Sequence, residues 1–221
     1  MKPRFHWTLI LALLTVCAWA PIHAKAGSVF VSSPGGLGAH GSYDWDTLGL
    51  GSLSSGAHLT TAGGIGFTVS EPQDVLSVGN ASSYYISQGG TDDFLLGNLH
   101  DPQAGPISLT FDSPVRGVGA YMEWGGYEIG SYTITAFDVA NAVLLTQTVQ
   151  SGPNGYPAFL GVLDSSADIK MIEFDYAGET GPHSIGLGDP SFATGTPEPG
   201  TIFLLGTLLA AFAPALRRRL T

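Results

Sequence analysis

Apolar and polar residues alternate in short segments through the middle of the chain. Apolar side chains recur at alternate positions in segments 65–69, 107–111, 132–136 and 169–176, with many β-branched and aromatic residues among them. A period of two with this composition predicts β-strands. Glycine pairs and Gly-Pro sequences between the segments predict turns, at residues 35–36, 63–64, 89–90, 125–126, 152–155 and 181–182.

The spacing of these segments indicates the fold class. From residue 106 onward they restart about every 10 to 15 residues with no convincing helical period between them, which suits antiparallel sheets rather than alternating strands and helices. We therefore predict an all-β domain over residues 27–195, folded as an antiparallel β-sandwich. Near its start the pattern is weaker, and there we predict a first strand at residues 29–33 and a loop at residues 34–41.

The N-terminus has the pattern of a secretory signal peptide. Lys2 and Arg4 precede a long apolar run, and Ala24 and Ala26 provide the small side chains that signal peptidase recognises on either side of one residue. We predict that residues 1–26 are removed on export.

The C-terminus combines three parts in a fixed order. A Pro-Glu-Pro tripeptide is followed by the apolar run 201–216 and then by an arginine cluster. As a helix the run would be about 24 Å long, close to a bilayer core of about 30 Å, and the arginines would remain on the cytoplasmic side. The residues of this predicted signal are Pro197, Glu198, Pro199, Arg217, Arg218 and Arg219.

The tail, residues 196–221, closely resembles the PEP-CTERM sorting signal of exported proteins in Gram-negative bacteria. The resemblance implies that the chain crosses the inner membrane, is anchored transiently by the C-terminal transmembrane helix, and is processed near the tripeptide by exosortase, a membrane protease. It also implies a destination at the cell surface or in the extracellular matrix, among exopolysaccharide and biofilm. An ordinary C-terminal membrane anchor is the alternative.

The second half of the domain also resembles exported β-sandwich proteins that often carry this tail. The similarity is in segments 107–111, 114–120, 132–139, 158–162 and 169–174. It implies a jelly-roll-like sandwich of the carbohydrate-binding-module or lectin type.

Charge narrows the range of partners. The chain has 18 Asp and Glu residues, of which only Glu198 lies outside residues 27–195, and the same region contains just two cations, Arg116 and Lys170. The formal charge of the domain is therefore −15, from two cations and 17 carboxylates. Such a domain has no electrostatic attraction for nucleic acid, and we exclude nucleic acid as a partner. The only cysteine, Cys17, lies in the predicted signal peptide, so the mature domain has no disulfide.

Candidate catalytic residues are few. Glycoside hydrolysis needs two carboxylates across the scissile bond, and Glu173 and Asp175 would share a strand face, with Glu123 on another predicted strand. Seventeen acids make such pairs common, and no nucleophile elbow, zinc-ligand spacing or phosphate loop accompanies them. We predict no enzymatic activity, with a polysaccharide-active enzyme as an alternative.

Exposed aromatic side chains near turns are candidate sugar platforms, because pyranose C–H faces stack on aromatic rings. Trp124 and Tyr127 flank a predicted turn, and Trp45 lies close to Tyr43. We predict Trp45, Trp124 and Tyr127 as carbohydrate-binding residues, with core packing as the alternative. The expected function is that of a non-enzymatic surface or matrix protein, and a specific carbohydrate-binding module is a further alternative.

Calcium is the ion that the sequence could accommodate, although we expect no obligatory cofactor. Carboxylates near predicted turns are hard-oxygen ligands of the kind that Ca²⁺ prefers, but no EF-hand loop is present. The candidate ligands are Asp44, Asp46, Asp92, Asp93 and Asp189.

Overall fold

The computed structural model describes residues 27–72, 75–80, 93–96, 105–124, 130–151, 157–177 and 185–195. The predicted signal peptide and sorting tail lie outside the described residues. Within these ranges nearly all regular structure belongs to two sheets, and all recorded strand pairs are antiparallel. The prediction of an all-β antiparallel sandwich is confirmed.

The strands follow one another along the chain with two short helical turns near the start. In chain order the elements are β1 (Val29–Val31), α1 (Pro34–Leu37), β2 (Gly41–Ser42), a 3₁₀ helix (Trp45–Leu48), β3 (Gly51–Ser54), β4 (Ala57–Thr60), β5 (Gly66–Ser70), β6 (Val75–Asn80), β7 (Asp93–Leu96), β8 (Ile107–Val115), β9 (Gly117–Trp124), β10 (Ser131–Phe137), β11 (Val143–Gln150), β12 (Ala158–Leu163), β13 (Ile169–Ala177), β14 (Ile185–Leu187) and β15 (Ser191–Ala193).

The chain alternates repeatedly between the two sheets. In the described part of the chain, one sheet has nine strands in the order β1-β12-β9-β14-β7-β6-β3, with β15 pairing to β9 and β2. The other has six, in the order β11-β10-β13-β8-β5-β4. The chain passes from one sheet to the other between β3 and β4, β5 and β6, β7 and β8, β8 and β9, β9 and β10, β11 and β12, β12 and β13, and β13 and β14. These crossings give the sandwich its jelly-roll-like character.

Alternation along the strands produces the core between the sheets. In β10, Tyr132, Ile134 and Ala136 are fully buried, while the residues between them are partly exposed. In β5, Phe67 and Val69 are buried in the same way. Each large apolar side chain buried here contributes about 1.5–3 kcal/mol to folding.

Two local predictions are corrected. The segment expected to be a loop, residues 34–41, contains α1: Ser33 caps it by accepting a hydrogen bond from the Gly36 N–H, and Gly38 ends it at φ 58°. In β13 the register shifts between Ile169 and Met171, so Met171 is not the core residue that strict alternation predicts.

No helix in the described ranges is long and apolar enough to cross a membrane.

Strand β11 is at one end of the six-stranded sheet. Among the described residues only β10 pairs with it, through the register Ser131 to Gln150 and onward. Its sequence, VLLTQTVQ, contains no charged residue and no proline.

Candidate functional site

The outer face of the six-stranded sheet is rich in hydroxyl groups. Buried residues alternate along β5, β8 and β10 with serine and threonine residues that point away from the core. Neighbouring hydroxyls are spaced by the sheet itself, about 4.8 Å across strands and about 6.8 Å along them. We call this surface the hydroxyl face; its members are Thr68, Ser108, Thr110, Ser131, Thr133, Thr135, Thr146 and Thr148.

The hydroxyls of β10 and β11 form cross-strand pairs. Thr133 and Thr148 are register partners whose Oγ1 atoms lie 2.8 Å apart. Thr146 donates to Thr135 Oγ1 at 3.4 Å in the next pair. A hydroxyl both donates and accepts, so each pair keeps hydrogen-bonding capacity for a ligand lying on the face.

Two carboxylates of β13 lie within the hydroxyl face, and a third, Asp112 of β8, lies on the same side of the sheet and is 2.9 Å from His58 Nε2. Strand β13 runs between β10 and β8, which places Glu173 opposite Thr135 and Ser108, and Asp175 opposite Thr133. Partial burial, and then the negative charge of Asp175, raise the pKa of Glu173. The prediction that these two acids share a strand face is confirmed.

An apolar patch adjoins the hydroxyl face where β10 ends. Phe137 is partly exposed, pairs with Met171 of β13 and has Val143 of β11 on its other side. The exposed fraction of Val143 is 59%. A ring beside rows of hydroxyls is the combination that sugar binding requires, because the ring takes the C–H face of a pyranose and the hydroxyls take its edge.

The prediction of Trp45 as a sugar platform is wrong. Trp45 is fully buried, with its ring centroid 5.0 Å from that of Tyr43 and 6.5 Å from that of Phe67. Its backbone N–H donates to Asp189 Oδ1 at 3.1 Å, which holds the start of the 3₁₀ helix against the chain before β15. Packing the Trp45 indole in the core removes far more of its apolar surface from water than stacking it on a sugar would, so the indole fills the core.

The other predicted aromatic residues are placed only in part. Trp124 is the last residue of β9 and pairs with Ile185 of β14, whereas Tyr127 lies outside the described residues. Nearby on β9, Tyr121 packs edge-on against Phe159, with ring centroids 5.2 Å apart.

The predicted calcium ligands are partly brought together. Asp44 caps the 3₁₀ helix by accepting from the Asp46 N–H at 2.9 Å, and Asp189 accepts from the Trp45 N–H at 3.1 Å. Asp93 begins β7, and Asp92 lies outside the described residues. The described ranges contain no group of three or more His, Cys, Asp or Glu residues arranged to hold a metal ion. Calcium binding stays a prediction.

The fold and this face define an antiparallel sandwich with one polar, hydroxyl-rich sheet surface. No protein-family model and no curated protein matches the chain. Among solved structures it is similar to a cleaved adhesin domain of Lys-gingipain from Porphyromonas gingivalis, at 15% identity and a TM-score of 0.39, over 66% of this chain and 99% of that domain.

Two further solved structures are similar to the chain, with comparably low sequence identities and TM-scores. A DUF4465 family protein from Bacteroides caccae matches at 10% identity and a TM-score of 0.40, over 76% of this chain and 94% of that one. A family 11 carbohydrate-binding module from Clostridium thermocellum, solved with a mixed-linked tetrasaccharide, matches at 11% identity and a TM-score of 0.35, over 70% and 95%. These similarities are too distant to carry a functional argument, so we infer the function from the surface of the chain itself.

Sequence reasoning missed the hydroxyl face and Phe137. The pattern was present, because threonine occupies alternate positions between the buried residues of β10. Phe137 was not predicted because it is a phenylalanine at the end of a strand, whereas the candidate sugar platforms were tryptophan and tyrosine residues near turns.

Proposed function

We propose that this protein is an exported, non-enzymatic surface or matrix protein that binds neutral exopolysaccharide along the hydroxyl face. The observation that carries the proposal is the adjacency of paired threonines on β10 and β11 to the partly exposed ring of Phe137. A polysaccharide chain offers the complementary surface, with hydroxyls along its edges and C–H groups on its ring faces.

The charge of the face favours neutral sugars. Glu173 and Asp175 accept hydrogen bonds from sugar hydroxyls, whereas they repel an acidic polymer.

The positions of the carboxylates favour binding over hydrolysis. Glu123 belongs to the nine-stranded sheet and Glu173 to the six-stranded sheet, so they do not face one another across a substrate. Glu173 and Asp175 follow one another on the same side of one strand. A glycosidase needs its two carboxylates on opposite sides of the scissile bond.

The proposed route to this location is the one that the terminal sequences imply. A signal peptide directs export across the inner membrane of a Gram-negative bacterium, the tail holds the chain in that membrane, and exosortase processes the tail near the tripeptide Pro197–Pro199. Intact mass of the protein from its native host tests this route. We expect a chain beginning at Gly27 and ending between residues 197 and 200, whereas a mass that includes Arg217–Arg219 contradicts processing.

Binding is tested by affinity electrophoresis in gels containing polysaccharide from the host envelope. Replacing Phe137 by Ala removes the ring and is expected to weaken retardation about tenfold, equivalent to about 1.4 kcal/mol. The double substitution Thr133→Val and Thr148→Val keeps the strand shape but deletes two hydroxyls, and is expected to weaken binding by a similar factor.

The matched control removes hydroxyls from the other sheet. Ser52 and Ser54 are exposed on β3, and replacing both by Ala should leave retardation unchanged. Equal losses in all variants would overturn the assignment of the face.

Two results would favour the alternative functions. A strong preference for one glycan that disappears in Trp124→Ala would favour a specific carbohydrate-binding module. Release of reducing ends that stops in Glu173→Gln would favour an enzyme.

A further inference from the structure

A small pocket lies on the opposite side of the sandwich, where α1 packs on the outer face of the nine-stranded sheet. Its volume is about 270 Å³, slightly below the range of about 300–1,000 Å³ found for drug-sized ligands, and therefore suited to a single sugar unit. Residues 35–38 form one wall, and Arg116, His40 and Thr194 add polar groups.

The backbone of Arg116 is fixed on both sides. Arg116 is the single residue between β8 and β9; its N–H donates to the Ala193 carbonyl at 2.9 Å, and its carbonyl accepts from the Asp164 N–H at 2.7 Å. The side chain therefore starts from a rigid point beside the pocket.

The guanidinium of Arg116 has no hydrogen-bond or ion-pair partner among the residues that the structure describes. Its Nε is buried and makes no hydrogen bond there. Asp164 contacts the Arg116 backbone, and the donors to its carboxylate are Ser28 Oγ at 2.7 Å, the Ser166 N–H at 2.7 Å and the Asp168 N–H at 3.3 Å. A buried donor without an acceptor lowers stability, and a ligand carrying an acceptor would recover that loss.

Lys170, the second cation of the domain, differs from Arg116 in its hydrogen bonds. Lys170 Nζ donates to the backbone carbonyls of Phe111 and Asp112 in the six-stranded sheet, so its hydrogen bonds are used within the fold. Among the residues that the structure describes, Arg116 is thus the cation whose side chain has no hydrogen-bond partner, in a domain with a large excess of negative charge.

The remaining walls indicate the rest of the ligand. Leu37 and Ala193 are buried, and with the half-buried Leu163 they give the pocket an apolar side. A pyranose ring presents C–H groups to such a side. One guanidinium matches the single charge and planar shape of a carboxylate, whereas a phosphate dianion would leave excess negative charge in an acidic domain.

We propose that this pocket binds the carboxylate of an acidic sugar unit of hexuronic-acid size through Arg116, with the ring against Leu37, Leu163 and Ala193. The site is independent of the hydroxyl face, because the two lie on opposite faces of the sandwich. Failure of one proposal therefore leaves the other intact.

Calorimetric titration of the protein purified from its native host tests the proposal with three probes: glucuronate, glucose and sulfate. We expect glucuronate to bind at least tenfold more tightly than either of the others. Glucose binding equally well would overturn the role of the carboxylate, and sulfate binding equally well would reduce the site to a general anion site and overturn the sugar assignment.

Variants then assign the binding to Arg116. Arg116→Gln is expected to lower glucuronate affinity at least tenfold, and Arg116→Lys, which keeps the charge but loses the planar fork, to lower it less. The matched control is Lys170→Gln, which removes the same charge at a distance and should leave affinity unchanged. Equal losses in Arg116→Gln and Lys170→Gln would overturn the proposal, and so would unchanged binding in Arg116→Gln. Glucuronate should also raise the melting temperature of the unaltered protein more than glucose does, a comparison that does not depend on how any variant folds.

Discussion

Trp45 and Phe137 have opposite positions although both are aromatic residues near chain turns. Trp45 follows Asp44, whose side chain caps the 3₁₀ helix and turns the indole inward between the sheets. Phe137 occupies an outward position of β10 and is partly exposed. Residue type alone does not separate the two cases, because the difference arises from which way the backbone turns.

Replacing Trp45 by Ala is expected to destabilise the fold by about 3–5 kcal/mol, because the cavity left under Tyr43 and Phe67 cannot close fully. Urea unfolding followed by circular dichroism measures the change. Val139→Ala, at a side chain 71% exposed, is the control and should shift stability by less than about 0.5 kcal/mol. Similar shifts in both variants would contradict the buried position of Trp45.

Glu173 is expected to make folding stability depend on pH. Its pKa is raised in the folded protein by burial and by Asp175, so the folded state holds the proton more tightly than the unfolded chain. The stability from this proton is fully present below the usual glutamate pKa and is lost as pH rises through the raised value.

Glu173→Gln should therefore melt at a higher temperature than the unaltered protein at pH 7, and the difference should shrink at pH 4. Asp175→Asn serves as a second measurement, because removing the neighbouring charge should reduce the same pH dependence. A Glu173→Gln variant whose advantage grows towards acid pH would contradict the raised pKa.

At the level of elements, β9 and β12 approach one another with glycines at the closest point. Gly119 and Gly161 are register partners, and the ring of Phe159 lies over Gly119. A Cβ at position 119 would come within 2.6 Å of Phe159 Cζ and 2.8 Å of the Gly161 Cα. The absence of a side chain here allows the aromatic ring to cover the sheet.

Gly119→Ala is expected to cost about 1–3 kcal/mol of folding stability, because two of the three clashing atoms belong to the backbone of β12 and cannot move aside. Differential scanning calorimetry measures the loss. The control is Gly63→Ala, where the nearest atom would be at an ordinary 3.7 Å and little change is expected. Equal melting temperatures for the two variants would contradict the packing of β9 against β12.

The elements differ in how well their sequences predict them. In β5, β8 and β10 the alternation of buried and outward residues is regular, and their strands follow directly from the pattern. In β13 the register shift before Met171 changes which residues face the core, and nothing in the local sequence marks it. The helical turn α1 could have been recognised, because Ser33, Pro34 and Gly38 provide a cap, a first-turn proline and a left-handed end.

At the scale of the whole molecule, the sequence predicts the fold class better than the functional surface. Alternation and turn spacing determine that two antiparallel sheets form, since each strand has one apolar face to bury. Which outer surface carries chemistry depends on contacts between residues far apart in the chain. Arg116 lines one pocket together with Gly35 and Thr194, which lie about 80 positions before and after it in the chain, and no local sequence pattern indicates this.

The exposed edge of β11 has a consequence for how the protein behaves when crowded. Among the described residues no strand pairs with the outer edge of β11, and an eight-residue edge strand without charge or proline is a template on which the strand of another molecule can form. What keeps such edges apart is the mutual repulsion of strongly acidic molecules, and that repulsion weakens as dissolved ions shorten its reach from about 30 Å at 0.01 M to about 8 Å at 0.15 M. We therefore expect self-association of the folded protein to increase with ionic strength, which light scattering across a salt series measures.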